Sequence, residues 1–180
     1  MSKQYEEMTR AERKVVLCQD VLARIKQERL LISPGSYIKN FYRIPELFSK
    51  PEKDFVGPVT PDDCLVVEKH CSVCARGALL LSRIRLFNSV NWDDLKVGRT
   101  IGITQDQTSD ILSEAFYSEE LLAIEAAFEA EEYEENDGFI GEDEEYSWDC
   151  IGFGLQYPSS DDRLVAIMEN IIENNGEFKP

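Results

Sequence analysis

The sequence predicts a mainly α-helical fold, a compact domain of about five helices. Three observations carry this prediction: side chains that cap helix starts, apolar residues spaced three and four apart, and one proline-rich stretch that breaks the helical pattern. That stretch predicts irregular chain or a short β-hairpin, and an α+β class is the alternative if it forms more strands. A length of 180 residues predicts one domain spanning residues 1–180.

The first helix is predicted from about residue 10 to residue 29. Thr9 and Glu12 have the spacing of a capping box, in which each side chain accepts a hydrogen bond from the backbone N–H of the other residue. Apolar residues then recur at helical steps, at Val15, Cys18, Leu22 and Ile25. The helix therefore has one buried face.

The segment 33–61 is predicted to be loop with a short hairpin, because it contains five of the seven prolines. After it, the run from Ser72 to Phe87 is nearly apolar apart from three arginines, and it predicts a largely buried helix. Gly77 lies within this run and indicates a close helix contact, since glycine has no Cβ.

Shorter elements are predicted in the second half. Residues 91–94 suit a helical turn, and residues 97–103 suit a brief strand or a loop. Thr104 and Gln107 form another capping-box pair, and Ser118 begins a helix with two acids in its first turn. The last helix is predicted from about Asp161 to Glu173, and the sequence Asn-Asn-Gly at 174–176 ends it.

Charge is distributed very unevenly along the chain. Residues 1–90 contain 15 Lys and Arg against 11 Asp and Glu, whereas residues 91–180 contain 4 against 24. The formal net charge of −16 therefore comes from the second half. A surface this acidic repels bare nucleic acid and attracts basic protein surfaces. We expect a protein partner and no direct contact with nucleic acid.

The acidic loop, residues 129–149, is the first candidate binding site. Its residues 129–145 contain ten carboxylates and no base, interleaved with aromatic side chains that a disordered spacer would lack. Carboxylates near the spacing of phosphates, with apolar contacts beside them, suit a surface that occupies a nucleic-acid groove. The predicted partner-binding residues are Glu131, Glu132, Tyr133, Glu134, Glu135, Asp137, Glu142, Asp143, Glu144, Glu145 and Trp148.

Two other interpretations of the acidic loop stay open. One is a solubilising insert, as acidic runs most often are. The other is a calcium loop with Gly138 at the sixth of its twelve positions and Glu144 at the last. The calcium interpretation is weak because Tyr133 stands where a carboxylate is required. In addition, residues 146–158, with Pro158 and several glycines, do not predict the helix that should follow.

A second candidate site surrounds the Cys-x-x-Cys motif of Cys71 and Cys74. At the start of a helix, the helix dipole lowers the pKa of a thiol and favours redox chemistry. Redox proteins with this motif usually have a strand before the helix, and the predicted strand here, Cys64–Val67, is short. With Cys64 and His70 the motif offers four zinc ligands, but adjacent His70 and Cys71 reach one tetrahedral ion with difficulty. Buried cysteines acting as small apolar residues are the third interpretation. The expected cofactor is none, with zinc as the alternative.

The sequence predicts no catalytic residues and no enzyme. His70 is the only histidine, so a histidine-dependent dyad or triad would have to use it, and no nucleophile elbow or phosphate-binding loop is present. The basic residues Lys69, Arg76 and Arg83 are expected to share one side of the buried helix. They could pair with the acidic half within one chain, or between two copies in a homo-oligomer.

The beginning of the chain has no secretion signal, and no apolar run approaches the roughly 18 residues that a membrane span needs. The sequence therefore predicts a cytoplasmic protein that does not contact membranes. Its five cysteines, an odd number, predict reduced thiols or metal ligands rather than a disulfide framework.

The motif CSVCARGA (residues 71–78) before an apolar helix, together with the closing helix RLVAIMENIIENNG (residues 163–176), resembles small uncharacterised proteins encoded by phages and bacteria. In acidity, though not in any motif, the chain is similar to phage inhibitors that imitate DNA and block host restriction or CRISPR nucleases. The resemblance implies an inhibitor that acts in the host cytoplasm on a nucleic-acid-binding enzyme. The alternatives are a zinc- or thiol-dependent regulatory protein built on Cys64, Cys71 and Cys74, and a non-catalytic structural or assembly protein.

Overall fold

The computed structural model describes residues 4–35, 37–39, 57–87, 90–97, 100–101, 105–131 and 145–180. These residues form seven α-helices, two short 3₁₀ helices and five strands of two residues each. The predicted mainly α-helical class is confirmed, and the described part of the chain has two helices more than the sequence predicted.

Helix α1, Arg10–Lys26, begins as its capping box predicts. The Glu12 backbone N–H donates to the Thr9 hydroxyl at 3.2 Å, and the Thr9 N–H donates to the Glu12 carboxylate at 2.8 Å. The helix ends three residues earlier than predicted, and Glu28 just beyond it has a left-handed backbone conformation (φ 53°). Its buried face contains Leu17, Cys18, Val21 and Leu22.

Helix α2, Pro61–His70, occupies a segment for which the sequence predicted loop and a short strand. Thr60 caps the helix, and the Thr60 N–H donates to the Asp63 carboxylate at 2.9 Å. The predicted strand Cys64–Val67 is therefore wrong, because the start signal at Thr60 outweighs the β-branched valines that follow it. Lys69 lies on α2, so it does not share a helix with Arg76 and Arg83.

Three short strands form a small sheet. Strand β1, Leu31–Ile32, pairs in parallel with the central strand β3, Ser72–Val73. Strand β2, Ile38–Lys39, pairs with the other edge of β3 in antiparallel orientation. The described part of the proline-rich segment therefore joins a sheet instead of forming a hairpin of its own, and residues 40–56 lie outside the described residues.

Helix α3, Ala75–Phe87, is the buried centre of the fold. All ten residues from Ala75 to Ile84 are buried, including two arginines. The helix begins at Ala75 and not at Ser72, because Ser72 and Val73 form strand β3. A Cβ on Gly77 would overlap the carbonyl of Tyr37. The close contact predicted for this glycine is confirmed, although its partner is the chain before β2 and not another helix.

The turn predicted at residues 91–94 is a 3₁₀ helix, Trp92–Leu95, and a hairpin follows it. The hairpin consists of β4, Lys96–Val97, and β5, Thr100–Ile101. Helix α4, Gln105–Leu112, comes next, and its predicted cap Thr104 lies outside the described residues. Helix α5, Ser118–Phe128, begins after Tyr117, whose backbone N–H donates to the Glu120 carboxylate at 2.8 Å.

Two further helices are α6, Glu145–Leu155, and α7, Ser160–Glu173. The expectation that residues 146–158 form no helix is wrong. Helix α7 has the predicted bounds to within one residue, and the chain beyond it has positive φ at Asn175 and Gly176, as in a helix C-cap. Helices α5 and α6 pack together, α1 packs on α7, and α3 contacts α1, α2, α4 and α5. None of the helices in the described ranges combines the length and apolar composition needed to cross a bilayer.

Candidate protein-binding surface

Cations of the first half are paired with carboxylates of the second half inside the molecule. The contacts are Arg76 with Glu125, Arg83 with Glu114, and Lys14 with Glu120. All three cations are buried, and they come from α1 and α3, whereas the carboxylates lie between residues 114 and 125. The predicted pairing of Arg76 and Arg83 with the acidic half within one chain is confirmed.

Arg76 is the deepest of these cations, with 2% of its side chain exposed. Its Nε donates to the Leu121 carbonyl at 3.1 Å, and its Nη2 lies 2.5 Å from the Glu125 carboxylate. Glu125 also accepts a hydrogen bond from the Tyr37 hydroxyl at 3.2 Å. Burial and the neighbouring Glu125 carboxylate raise the pKa of Tyr37 to about 12. Glu125 is therefore engaged by Arg76 and Tyr37 inside the molecule and is not part of a displayed acidic surface.

The first two carboxylates of the acidic loop also have partners within the chain. The Gly35 backbone N–H donates to the two oxygens of Glu129 at 3.0 and 3.1 Å. The buried Arg163 guanidinium donates to the Phe128 carbonyl at 3.0 Å and to the Glu131 carboxylate at 2.6 Å. The Glu131 side chain is 63% exposed, so it can still contact a partner, although Arg163 compensates its charge.

Most of the acidic loop lies outside the described residues. This applies to residues 132–144, and therefore to the predicted binding residues Glu132, Tyr133, Glu134, Glu135, Asp137, Glu142, Asp143 and Glu144. Glu145 is the first residue of α6. A calcium loop of this type is followed by a helix, and α6 does follow the acidic loop, so the absence of a helix no longer argues against a calcium site. Tyr133 still argues against it, because it stands where a carboxylate is required.

Gly154 fixes the side of α6 that faces α5. A Cβ at this position would overlap the Ala127 carbonyl and would lie 2.8 Å from the Cβ of Ala130. Only glycine therefore allows α6 to approach α5 this closely. Cys150 and Ile151 are buried on the same side of the helix, so the opposite side must face outward.

The outward side of α6 presents large apolar side chains. Trp148 is 55% exposed and Leu155 is 40% exposed, and they lie seven residues, or two helical turns, apart. Gly152 lies between them, and a Cβ added there would meet nothing within 4 Å. We call this the Trp148–Leu155 face. An exposed tryptophan beside a smooth helix surface is typical of protein interfaces, where tryptophan contributes strongly to binding.

Trp148 is the predicted binding residue whose position best suits contact with a partner. Leu155 was missed by the sequence analysis. Its spacing of seven residues from Trp148 was the available signal, but two intervening glycines weakened the helical pattern that would have placed both residues on one side.

The cysteine motif does not have the geometry that the sequence predicted. Cys71 follows the end of α2, Cys74 precedes α3, and strand β3 separates them. Cys64, Cys71 and Cys74 are buried, whereas His70 is exposed. Within the described ranges, no three His, Cys, Asp or Glu side chains form a group that could hold a metal ion. Zinc binding therefore stays a prediction.

Burial raises the pKa of the thiols, to about 12 for Cys64 and Cys74 and to about 11 for Cys71. At Cys74 the backbone N–H groups of Gly77 and Arg76 lower the pKa, as the helix-dipole argument expects, but desolvation is the larger effect. The expectation of a lowered thiol pKa is therefore wrong. These thiols are neutral at pH 7, and the thiolate is the form that redox chemistry needs.

Comparisons of the chain with protein-family models, with curated proteins and with solved structures found no match.

Proposed function

We propose that the chain is an acidic protein-binding inhibitor that imitates nucleic acid, is encoded by a phage, and blocks a host nuclease of the restriction or CRISPR type. In this proposal it acts by binding and not by catalysis. The observation that carries the proposal is the Trp148–Leu155 face, which is exposed on the helix directly after a run of carboxylates. Carboxylates would attract a basic groove, and the apolar face would slow dissociation from it.

The scarcity of free cations in the second half supports this proposal. Residues 105–180 contain only two bases, Arg163 and Lys179. Arg163 contacts Glu131, and Lys179 contacts Glu177 at 2.8 Å. Several other carboxylates of this part are exposed on α4, α6 and α7: Asp106, Asp110, Asp149, Asp161, Asp162, Glu169 and Glu173. The electrostatic field of this half is therefore strongly negative.

The charge requirement is tested with two variants of equal net charge. The loop variant carries Glu142→Gln, Asp143→Asn, Glu144→Gln and Glu145→Gln. The control variant carries Glu6→Gln, Glu28→Gln, Asp62→Asn and Glu119→Gln, at exposed positions outside the acidic loop. Inhibition of DNA cleavage is measured for a panel of purified restriction and CRISPR nucleases at low and high salt.

We expect the intact chain and the control variant to inhibit at least one nuclease, with an affinity that falls steeply with salt. The loop variant should inhibit it at least about tenfold less well. Mimicry of nucleic acid is wrong if the loop variant inhibits as well as the intact chain, or if no nuclease in the panel is inhibited.

The apolar contact is tested with Trp148→Ala. The variant should leave the melting temperature nearly unchanged, because the side chain is 55% exposed, and should weaken nuclease binding about tenfold through faster dissociation. Leu65→Ala is the matched control, since Leu65 is 43% exposed on α2. Dissociation rates are measured by surface plasmon resonance. Equal dissociation rates for the two variants would show that the Trp148–Leu155 face is not the contact.

A further inference from the structure

A groove of about 350 Å³ lies where the end of α6 meets the outer side of α7. The apolar part of its lining, which we call the floor, consists of aromatic and aliphatic side chains. Phe153 and Tyr157 contribute rings whose centroids are 5.4 Å apart, and Val165 and Ala166 contribute aliphatic groups from α7. Phe153 also packs edge-to-face against Phe178 at 5.3 Å, which holds the floor in place.

The rim of the groove is acidic. Asp162, Glu169 and Glu173 line it, and all three are exposed. No Lys, Arg or His is among the described residues that line the groove. The adjoining segment is held by Asn170, which donates to the Lys179 carbonyl at 2.7 Å, and the Lys179 ammonium group contacts Glu177. Among the described residues that line the groove, none compensates the charge of these carboxylates.

The spacing of these carboxylates suits a helical partner. Asp162 and Glu173 are eleven residues apart, which corresponds to about 16 Å along α7, and Glu169 lies one turn before Glu173. An apolar floor bordered by carboxylates over this length matches a helix that has one apolar stripe flanked by lysines or arginines. An acidic segment would be repelled from the rim, and an uncharged apolar helix would leave the carboxylates without partners.

We propose that this groove binds a basic amphipathic helix of a partner protein. The apolar stripe of that helix lies on Phe153, Tyr157 and Val165, and its cations lie against Glu169 and Glu173. Trp148 is not among the described residues that line the groove. Peptide binding in the groove and nuclease binding through Trp148 are measured in separate experiments, so either proposal can fail without the other.

The test uses the full chain and a dye-labelled synthetic peptide of about 15 residues, with leucines along one helical face and lysines elsewhere. Fluorescence anisotropy gives the dissociation constant. Glu169→Lys combined with Glu173→Lys should weaken binding at least about tenfold. Asp106→Lys combined with Asp110→Lys makes the same change of charge on the exposed side of α4, and it should weaken binding less than about threefold.

Two further comparisons separate a docking groove from general attraction between opposite charges. Ala166→Trp fills the groove without changing a carboxylate, and it should weaken binding about tenfold. A peptide of the same composition with scrambled leucines should also bind about tenfold more weakly. Circular dichroism confirms that each variant is folded, and Ala166→Leu replaces Ala166→Trp if the larger side chain unfolds the chain.

Equal weakening by the α4 and α7 charge variants would overturn the proposal, and so would equal binding of the scrambled peptide. Self-association of the chain that Ala166→Trp abolishes would also overturn it, because a second copy would then occupy the groove. Sedimentation velocity detects that outcome.

Discussion

At the level of single residues, two buried arginines hold helix α5 against its neighbours. Arg76 and Arg163 each have 2% of the side chain exposed, and each donates both to a backbone carbonyl and to a carboxylate. Both carbonyls belong to α5, at Leu121 and Phe128. These two guanidinium groups therefore position α5 against α3 and α7.

Replacement of Arg76 by Met should lower the free energy of unfolding by about 2–3 kcal/mol, because the Leu121 carbonyl loses its side-chain donor and the Glu125 carboxylate loses its cation. Urea unfolding followed by circular dichroism measures the change. The double variant Arg76→Met with Glu125→Leu should recover part of the loss, since it removes the stranded charge. A loss under about 0.5 kcal/mol in the single variant would show that the ion pair does not stabilise the fold.

The buried thiols predict a decrease of stability at alkaline pH. The pKa values of Cys64 and Cys74 are about 12 in the folded chain, against 9.0 for an ordinary thiol. Burial of the neutral thiols therefore contributes stability below pH 9, and this contribution is lost as the pH rises from 9 toward 12. The free energy of unfolding should fall over this range, as measured by urea unfolding at a series of pH values.

The combined variant Cys64→Ala, Cys71→Ala and Cys74→Ala provides the control for this prediction. Its free energy of unfolding should fall less steeply between pH 9 and pH 12, because it lacks the three thiols. An unchanged slope would show that other groups cause the decrease.

At the level of the elements, two glycines of α6 provide a matched comparison. Gly154→Ala should lower the free energy of unfolding by about 2–3 kcal/mol, because the added Cβ overlaps the Ala127 carbonyl and forces α6 away from α5. Gly152→Ala should raise it by up to about 1 kcal/mol, because the site is open and alanine favours helix. Thermal unfolding distinguishes the two outcomes. Equal effects would contradict the close packing of α6 on α5.

The elements that the sequence predicted well have local signals. Thr9 and Glu12 form the predicted capping box of α1, and the segment after Glu173 has the predicted C-cap conformation. Helix α2 was missed although Thr60, Pro61 and Asp63 form an equally clear start. The valines of Cys64–Val67 favoured a strand there, and a local cap decided the outcome.

Helix α6 was missed for a different reason. Gly152 and Gly154 lower its intrinsic helix propensity, and nothing adjacent in sequence compensates for them. The compensation is the packing of Gly154 against Ala127 and Ala130 of the preceding helical region, which lies more than twenty residues earlier in the chain. Periodicity within a single segment could not reveal this contact.

At the level of the whole molecule, the charge asymmetry serves two purposes. Glu114, Glu120 and Glu125 lie against cations of α1 and α3, and they hold the halves together. Other carboxylates are exposed on the outer sides of α4, α6 and α7. The sequence from residue 105 to residue 180 offers them only two cations, Arg163 and Lys179. The acidic composition therefore overstates the charge that the surface displays, because some carboxylates are paired inside the molecule. Other carboxylates are exposed and do contribute to the displayed charge.

The sequence by itself determined the mainly helical class, the start of α1, the bounds of α7, and the strongly negative charge of the second half, because capping, periodicity and composition are local properties. Only the tertiary structure decided which carboxylates are paired inside the molecule, that α6 exists, and that Trp148 and Leu155 face outward. Those outcomes depend on contacts between residues distant in sequence, such as Arg76 with Glu125 and Gly154 with Ala127, and their energies are set by packing that no single segment encodes.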